Sequence, residues 1–227
     1  MESLDLLANN MANASTGGYK ADREFYSLYV APEANAAPST TMPVVERPWL
    51  DLSQGVLQST GGALDLALSG SGFFSVAGPN GTLYTRNGSF HLSASGQLVT
   101  AQGYAVNGTG ARPIAATGSS PIEVASDGTV RQNGNIIGQL QVMDFPAGAL
   151  SKQGTSYFRV SDPSLQGAPA AGTSVQQGKL EASNSGTADG AVRLVSIMRQ
   201  FEMLQKAASM GNDMNKQAIE QVAKVGS

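Results

Sequence analysis

The stretch that decides the fold is Phe73-Phe74-Ser75-Val76-Ala77-Gly78-Pro79-Asn80-Gly81-Thr82-Leu83-Tyr84-Thr85. Aromatic and β-branched residues favour strands, and a Pro-Asn-Gly sequence between two such runs is typical of a tight hairpin turn. A second hairpin is predicted from Phe90–Leu92 and Gln97–Thr100, joined through Ser95-Gly96. The two hairpins together indicate antiparallel β-structure in the middle of the chain.

Turn signals continue beyond these hairpins at intervals of about ten residues, which is typical of an all-β sandwich or barrel. The further signals are Asn107-Gly108, Asp127-Gly128 and Asn133-Gly134. We therefore expect a hairpin-rich, sandwich-like or barrel-like domain over residues 64–180.

Several glycines in this region are predicted to occupy turns or places of close backbone approach. They are Gly70, Gly72, Gly88 and Gly96. A phosphate-binding loop is not indicated, because strand-like residues follow these glycines where such a loop would need a helix.

Both ends of the chain carry helical patterns. In residues 1–14 apolar side chains recur every three or four residues, and the glycines at 17 and 18 are expected to end this helix. A longer helix near the C-terminus has a heptad-like seam, with Met203, Ala207, Met210 and Met214 expected to widen it. The seam itself consists of Leu194, Ile197, Phe201, Leu204 and Ala208.

A seam of this kind needs a partner, because burying one large apolar side chain is worth about 1.5–3 kcal/mol. We predict a mixed α and β fold in which the N- and C-terminal helices pair as a coiled-coil base and flank the central all-β domain. The predicted helical base comprises residues 1–30 with 181–227, residues 31–63 form an extended linker, and residues 64–180 form the β-rich outer domain.

Composition excludes several function classes. Charged residues make up 14% of the chain, against about 25% in a typical protein. A surface so poor in charge is easily desolvated against a neighbour. The net charge is −3 and no basic cluster occurs, so binding to nucleic acid is not indicated. With no cysteine, thiol catalysis, disulfides and cysteine-ligated metals are excluded.

The candidates for chemistry are few. His91 is the single histidine and lacks the companions that a metal site or a catalytic triad would need. Asp65 lies between apolar residues and is expected to pair with Arg86 rather than to act as an acid or base. We therefore predict no catalytic residue, no metal ligand and no cofactor.

Four blocks of the chain resemble the rod and hook family of bacterial flagellar axial proteins. The first is residues 9–20, Asn-Asn-Met-Ala-Asn-Ala-Ser-Thr-Gly-Gly-Tyr-Lys, and the second is residues 64–76. The third runs from residue 84 to 104, and the fourth is Leu-Glu-Ala-Ser-Asn at 180–184 followed by residues 199–203. Within the family, the length and residues 19–25 are most similar to the proximal-rod members, with distal-rod members next.

The resemblance implies a structural subunit of the flagellar basal-body rod and not an enzyme. It implies helical termini that line the inner tube and polymerise with copies of the chain and with other rod proteins, transmitting torque. It also implies export through the flagellar type III apparatus. Because the N-terminus is acidic, we expect no Sec signal peptide, and no segment is long and apolar enough to span a membrane.

The family motif residues carried over are Asn9, Asn10, Asn13, Thr16, Gly18, Tyr19 and Lys20. The asparagine amides have two readings: they cap a helix within the subunit, or they form hydrogen bonds between subunits. Family members normally have a further helical segment before the paired asparagines. We therefore expect Met1 to be an internal methionine or a misassigned start.

Other functions are compatible with parts of the sequence. A distal-rod or hook-type subunit would share the same blocks. A secreted β-rich binding module would explain the central domain but not the long C-terminal helix. A hydrolase is disfavoured, since no pair of carboxylates stands in a distinctive context.

Overall fold

The computed structural model describes residues 2–30, 41–118, 120–162 and 164–225. Helices lie at the two ends of the chain, α1 at Glu2–Ala12 and α2 at Thr187–Val225. Between them the described residues are mostly β-structure. The mixed fold with a central β-domain is confirmed.

The strands before the central domain are β1 (Asp22–Val30), β2 (Thr41–Leu50) and β3 (Leu57–Ser59). The first half of the central domain contains β4 (Leu66–Ser69), β5 (Phe73–Gly78), β6 (Gly81–Thr85), β7 (Phe90–Leu92), β8 (Leu98–Thr100), β9 (Ala105–Gly108) and β10 (Arg112–Pro113). The second half contains β11 (Ile122–Val124), β12 (Thr129–Gln132), β13 (Asn135–Gln139), β14 (Val142–Asp144), β15 (Leu150–Gln153), β16 (Tyr157–Val160), β17 (Ala168–Pro169), β18 (Ser174–Gln177) and β19 (Lys179–Glu181).

The main sheet follows the order β15-β16-β6-β5-β9-β8-β7, with β10 added to β9 and β14 joining β5 to β17. Both predicted hairpins are present: β5 pairs with β6 up to Gly78 opposite Gly81, and β7 pairs with β8. Beside the main sheet, β11-β12-β13 form a three-stranded sheet, while β18 pairs with β4 and β19 with β3. The last two pairings bring the end of the β-region back to its beginning.

Two apolar clusters hold the β-domain together. The larger contains Leu66, Phe74 and Val106, all fully buried, and the smaller is built around Phe73 and Phe158. Phe73 and Phe74 are neighbours on one strand, so their side chains point to opposite faces of the main sheet and enter different clusters. The double phenylalanine therefore anchors both sides of the domain.

One predicted turn is wrong. Asn107-Gly108 lies inside β9, where Gly108 pairs with Arg112 and Asn107 is buried with its side-chain amide donating to the Ser75 hydroxyl at 3.1 Å. The chain reverses after Gly108 instead, with Ala111 at a φ of 56°. The signals at Asp127-Gly128 and Asn133-Gly134 do mark the turns on either side of β12.

The region predicted as an extended linker, 31–63, contains strand structure. Its residues 31–40 lie outside the described residues, but β2 pairs antiparallel with β1 from Leu50 opposite Asp22 to Thr41 opposite Val30. β3, also in this region, pairs with β19. The division of the chain into a base, a linker and an outer domain stays a prediction.

The predicted coiled-coil base is not formed within the described residues. α1 meets α2 at the first turns of the long helix, where Gly190 lies against Met11 and near Leu7. With 11 residues, α1 is too short to follow a helix of 39 residues. The expectation that the two termini close on each other along the seam is therefore not supported.

Candidate functional site

Three charged residues from distant parts of the chain meet in the interior. The Glu181 carboxylate accepts hydrogen bonds from Lys20 Nζ at 2.6 Å and Arg86 Nη1 at 3.0 Å, and all three side chains are buried. The backbone N–H of Gly55 donates to the same carboxylate at 2.9 Å. We call Lys20, Arg86 and Glu181 the ion cluster.

Two further donors of the ion cluster bind backbone carbonyls. Lys20 Nζ donates to Ser53 O at 2.6 Å, and Arg86 Nη2 donates to Gly70 O at 2.7 Å. The Arg86 guanidinium also lies 5.2 Å from the centre of the Phe73 ring, a cation–π contact. Burial lowers the pKa of Lys20, and the carboxylate of Glu181 opposes that shift. Buried charges paired in this way fix one geometry, because losing any partner leaves a charge unpaired.

The asparagine motif lies directly beside the ion cluster. Asn10 Oδ1 accepts from the Tyr19 hydroxyl at 3.0 Å and from the Asp22 N–H at 3.0 Å, while its Nδ2 donates to Asp22 O at 2.8 Å. Asn10 thereby fastens the end of α1 to the start of β1. Lys152 reaches across from β15, with Nζ at 2.5 Å from Asp22 and above the Tyr19 ring.

The surroundings of this motif shift three further pKa values. Burial and the negative charge of Asp22 raise the pKa of Tyr19 to about 12. Burial lowers the pKa of Lys152, with Asp22 opposing the shift. Burial acts to raise the pKa of Asp51, but hydrogen bonds from Ser53 and from Arg23 at 2.6 Å outweigh it, so this pKa lies below its ordinary value.

The other motif residues end α1 and turn the chain. Asn13 Nδ2 donates to Asn9 O and to Asn9 Oδ1, both at 2.9 Å, and the Thr16 hydroxyl is 3.4 Å from Asn13 Oδ1. These amides are engaged within the subunit, as the capping reading predicts. Their proposed bonds between subunits stay a prediction.

Asn184 joins the root of α2 to the same region. Its Oδ1 accepts from the Ala21 N–H at 2.7 Å, and its Nδ2 donates to Asp51 O at 2.8 Å. α2 begins at Thr187, so Asn184 lies just before the helix. Asn184 ties three segments together. We call Asn10, Tyr19, Asn184 and the ion cluster the junction.

Two glycines permit the close packing of the junction. Gly18 has a φ of 67°, and a Cβ there would overlap the backbone of Arg86 and Asn87. Gly88 has an ordinary φ, but a Cβ there would overlap the carbonyl of Leu66. The other predicted glycines lie in turns, Gly70 and Gly72 between β4 and β5 and Gly96 between β7 and β8.

The long helix α2 presents apolar side chains to solvent. In the predicted seam, Leu194 and Ile197 are half-buried and Phe201 is 61% exposed. The side chains of Leu204 and Ala208 are not among those that the structure describes. No helix in the described part of the chain is long and apolar enough to cross a membrane.

Two protein-family models match parts of this chain. Residues 67–136 match the family described as the flagellar hook protein FlgE/F/G D1 domain, and residues 176–221 match the flagellar basal body rod FlgEFG protein C-terminal family. The flagellar basal-body rod protein FlgF of Caulobacter vibrioides is 32% identical, over 98% of this chain and 92% of its own. The chain belongs to the flagellar rod and hook family.

Two further members of the rod and hook family show its breadth. FlgF of Rhizobium meliloti is 34% identical over 88% of this chain and 83% of its own length. The rod protein FlgG of Buchnera aphidicola is 30% identical over 93% of this chain and 91% of its own. The resemblance inferred from the four blocks is confirmed.

The junction brings the blocks of the rod and hook family together. Lys20 ends the first block, Arg86 lies in the third and Glu181 and Asn184 lie in the fourth. The second block supplies Gly70, whose carbonyl accepts from Arg86. Blocks that are far apart in the sequence are therefore neighbours in space.

Sequence reasoning missed the roles of Arg86 and Glu181. The expected pair of Asp65 with Arg86 is wrong, because Asp65 accepts from the Thr60 hydroxyl at 2.6 Å and Arg86 pairs with Glu181. One signal was available in the sequence. The chain has few charged residues, yet Lys20, Arg86 and Glu181 all lie within the blocks that resemble the family. His91 is exposed on β7, and among the described residues no group of three His, Cys, Asp or Glu side chains is placed to hold a metal.

Proposed function

We propose that this protein is a structural subunit of the flagellar basal-body rod that polymerises through its terminal helices. Its relatives are rod proteins by name, not enzymes. The proposal places the chain in the basal body, with copies of itself and other rod proteins as partners. It includes export through the flagellar type III apparatus and a role of the assembled helices in lining the export channel.

The observation that carries the proposal is the exposed seam of α2. Phe201 lies in the middle of this long helix, and its side chain is 61% exposed. Such a large aromatic side chain contributes to stability only when another surface covers it. We propose that helices of neighbouring axial subunits cover it, so that the coiled-coil packing expected from the sequence forms between subunits. We propose in addition that the side-chain amides of Asn9 and Asn13 form hydrogen bonds between subunits.

The junction gives the subunit a means of transmitting torque. A hinge between the helices and the β-domain would absorb rotation. The ion cluster instead joins residue 20, residue 86 and residue 181 through short buried contacts, and Asn184 adds two more hydrogen bonds at the root of α2. A rigid connection at this point supports a mechanical role.

The seam proposal is tested by placing a charge in it. Phe201→Asp is expected to abolish incorporation into purified basal bodies and swimming, because the carboxylate would have to be buried between helices. The matched control is Ser209→Asp, an exposed position on another face of α2, which should incorporate and swim normally. Circular dichroism of both variants should show the β-domain folded. Normal swimming of the Phe201→Asp strain would contradict the proposal.

The position along the axis has two candidates. Relatives named FlgF favour a proximal-rod subunit, and a relative named FlgG at 30% identity keeps the distal rod, or a hook-type subunit, as the alternative. Gold labelling of isolated basal bodies with an antibody against the β-domain would separate them. Label near the membrane-proximal end supports the first candidate, and label at the far end supports the second.

A further inference from the structure

The apolar residues of α2 form two neighbouring seams. Met203, Ala207, Met210 and Met214 were expected to widen the heptad seam. At about 100° per residue their centre lies about 130° round the helix from the centre of that seam. All four are exposed, the methionines by 63%, 62% and 69%. We call them the methionine seam.

The methionine seam has heptad spacing of its own. Its steps along the chain are four, three and four residues, which is the spacing of a and d positions in a coiled coil. If Ala207 and Met214 occupy a positions, then Met203 and Met210 occupy d positions. The preceding g positions are then Arg199, Lys206, Asp213 and Glu220.

The charges at these g positions change sign halfway along the helix. Arg199 and Lys206, which are exposed, are cations, and the sequence continues with the anions Asp213 and Glu220. The e positions on the other side of the methionine seam carry no charge. They are Ile197, Leu204, Gly211 and Ala218. Only the g positions beside the methionine seam can therefore form ion pairs with a partner helix.

This arrangement is self-complementary in one orientation. In an antiparallel pair of helices each g position faces a g position of the partner helix, whereas in a parallel pair it faces an e position. When Ala207 packs opposite Met210 of a second copy, Met203 packs opposite Met214. The same register places Lys206 opposite Asp213 and Arg199 opposite Glu220, each pair occurring twice. A parallel pair would form none of these ion pairs.

We propose that the methionine seam of α2 binds the methionine seam of a second copy of this chain in an antiparallel coiled coil. A two-fold contact is closed, because both copies use the same patch on each other. It cannot propagate a polymer, so this pair competes with assembly and protects the subunit before incorporation. The last point rests on the proposed rod function, whereas the dimer itself does not.

The composition of the seam fits a temporary partner. Methionine side chains are flexible and repack against different surfaces, which suits a face that changes its neighbour. The seam is short, with polar residues at the flanking a and d positions Gln200 and Gln217. A weak, concentration-dependent dimer is therefore expected.

Charge reversal with sedimentation equilibrium of the full chain tests the orientation. Lys206→Asp would place like charges together twice in each dimer and is expected to raise the dissociation constant at least about tenfold. The double variant Lys206→Asp/Asp213→Lys restores opposite charges and should return it to within about threefold of the unchanged protein. Lys216→Asp makes the same change of charge at an exposed position off the g flank and should have little effect. A monomer at every concentration, or equal constants for all four proteins, would overturn the proposal.

Cross-linking supplies a second readout, because the chain has no cysteine of its own. Met203→Cys mixed with Met214→Cys should form a disulfide-linked dimer. Met203→Cys alone should not, since in the antiparallel register the two copies of position 203 are about 16 Å apart along the axis. A dimer linked through position 203 alone would show a parallel pair and refute the inference.

The two proposals fail separately. The Lys206→Asp strain is expected to swim, because the antiparallel pair is not the assembled state. Loss of swimming together with loss of the dimer would overturn the claim that the pair competes with assembly. The rod function is judged on Phe201→Asp, whatever the dimer experiments show.

Discussion

The junction and helix α2 place their side chains in opposite ways. The junction buries Lys20, Arg86 and Glu181, whereas α2 exposes Phe201 and Met210. Charges inside and apolar groups outside reverse the usual arrangement. The buried charges of the junction are stabilised by ion pairs and hydrogen bonds within the same chain. The exposed apolar residues of α2 have no such cover among the described residues. The first region is completed by folding within one chain, whereas we propose that the second is completed by association.

Removing the central charge of the junction should have the largest effect on the stability of the fold. Glu181→Gln keeps the shape but leaves two buried cations without their carboxylate, and we expect it to lower the free energy of unfolding by about 3–5 kcal/mol. Urea unfolding followed by circular dichroism measures this. Glu123→Gln, on the exposed side of β11, should change it by about 0.5 kcal/mol or less. A loss below about 1 kcal/mol in Glu181→Gln would show that the ion cluster is not essential to the fold.

A glycine substitution tests the close packing of the same region. Gly18→Ala requires an unfavourable backbone conformation and also overlaps the Arg86 backbone, so we expect a loss of about 3 kcal/mol. Gly61→Ala is matched, because Gly61 has a φ of 73° but no described atom within 4 Å of a Cβ placed there. It should lose about 1 kcal/mol, the contribution of backbone conformation alone. Equal losses, measured by thermal unfolding, would mean that close approach to Arg86 contributes nothing.

Tyr19 makes the junction sensitive to alkaline pH. Its pKa rises to about 12 in the folded protein from the ordinary 10.0, so the folded state holds the phenol proton more tightly than the unfolded state does. The associated stability is complete below pH 10 and is lost as pH rises towards 12, by about 2–3 kcal/mol.

The measurement is the free energy of unfolding against pH for the unchanged protein and for Tyr19→Phe. The phenylalanine variant should lack this part of the alkaline loss, while contributions from the other tyrosines remain in both proteins. Parallel curves between pH 9 and pH 12 would contradict the raised pKa.

The hairpins were predictable from the sequence and the ion cluster was not, because hairpins are local. Phe73 to Thr85 carries its own turn and its own strand residues. Lys20 and Glu181 are separated by 161 residues, and no pattern in the neighbourhood of either indicates the other. The turn predicted at Asn107-Gly108 was wrong for a related reason. An Asn-Gly pair favours a turn locally, but the pairing of β9 with β10 places both residues in a strand. The α2 seam was found from its periodicity, but periodicity does not say which molecule covers it.

The smallest expected effect is on the stability of the isolated subunit when the α2 seam is truncated. Because Phe201 is mostly exposed, Phe201→Ala should change the free energy of unfolding of the β-domain by about 0.5 kcal/mol or less. Phe158→Ala, fully buried in the smaller apolar cluster, should lose about 3–5 kcal/mol. If Phe201→Ala proves as damaging as Phe158→Ala, the seam must already be packed within a single chain. A small loss of stability together with weakened incorporation into basal bodies would assign the stabilising contacts of Phe201 to the assembled rod, because a side chain that contributes little to folding can matter only through what it contacts afterwards.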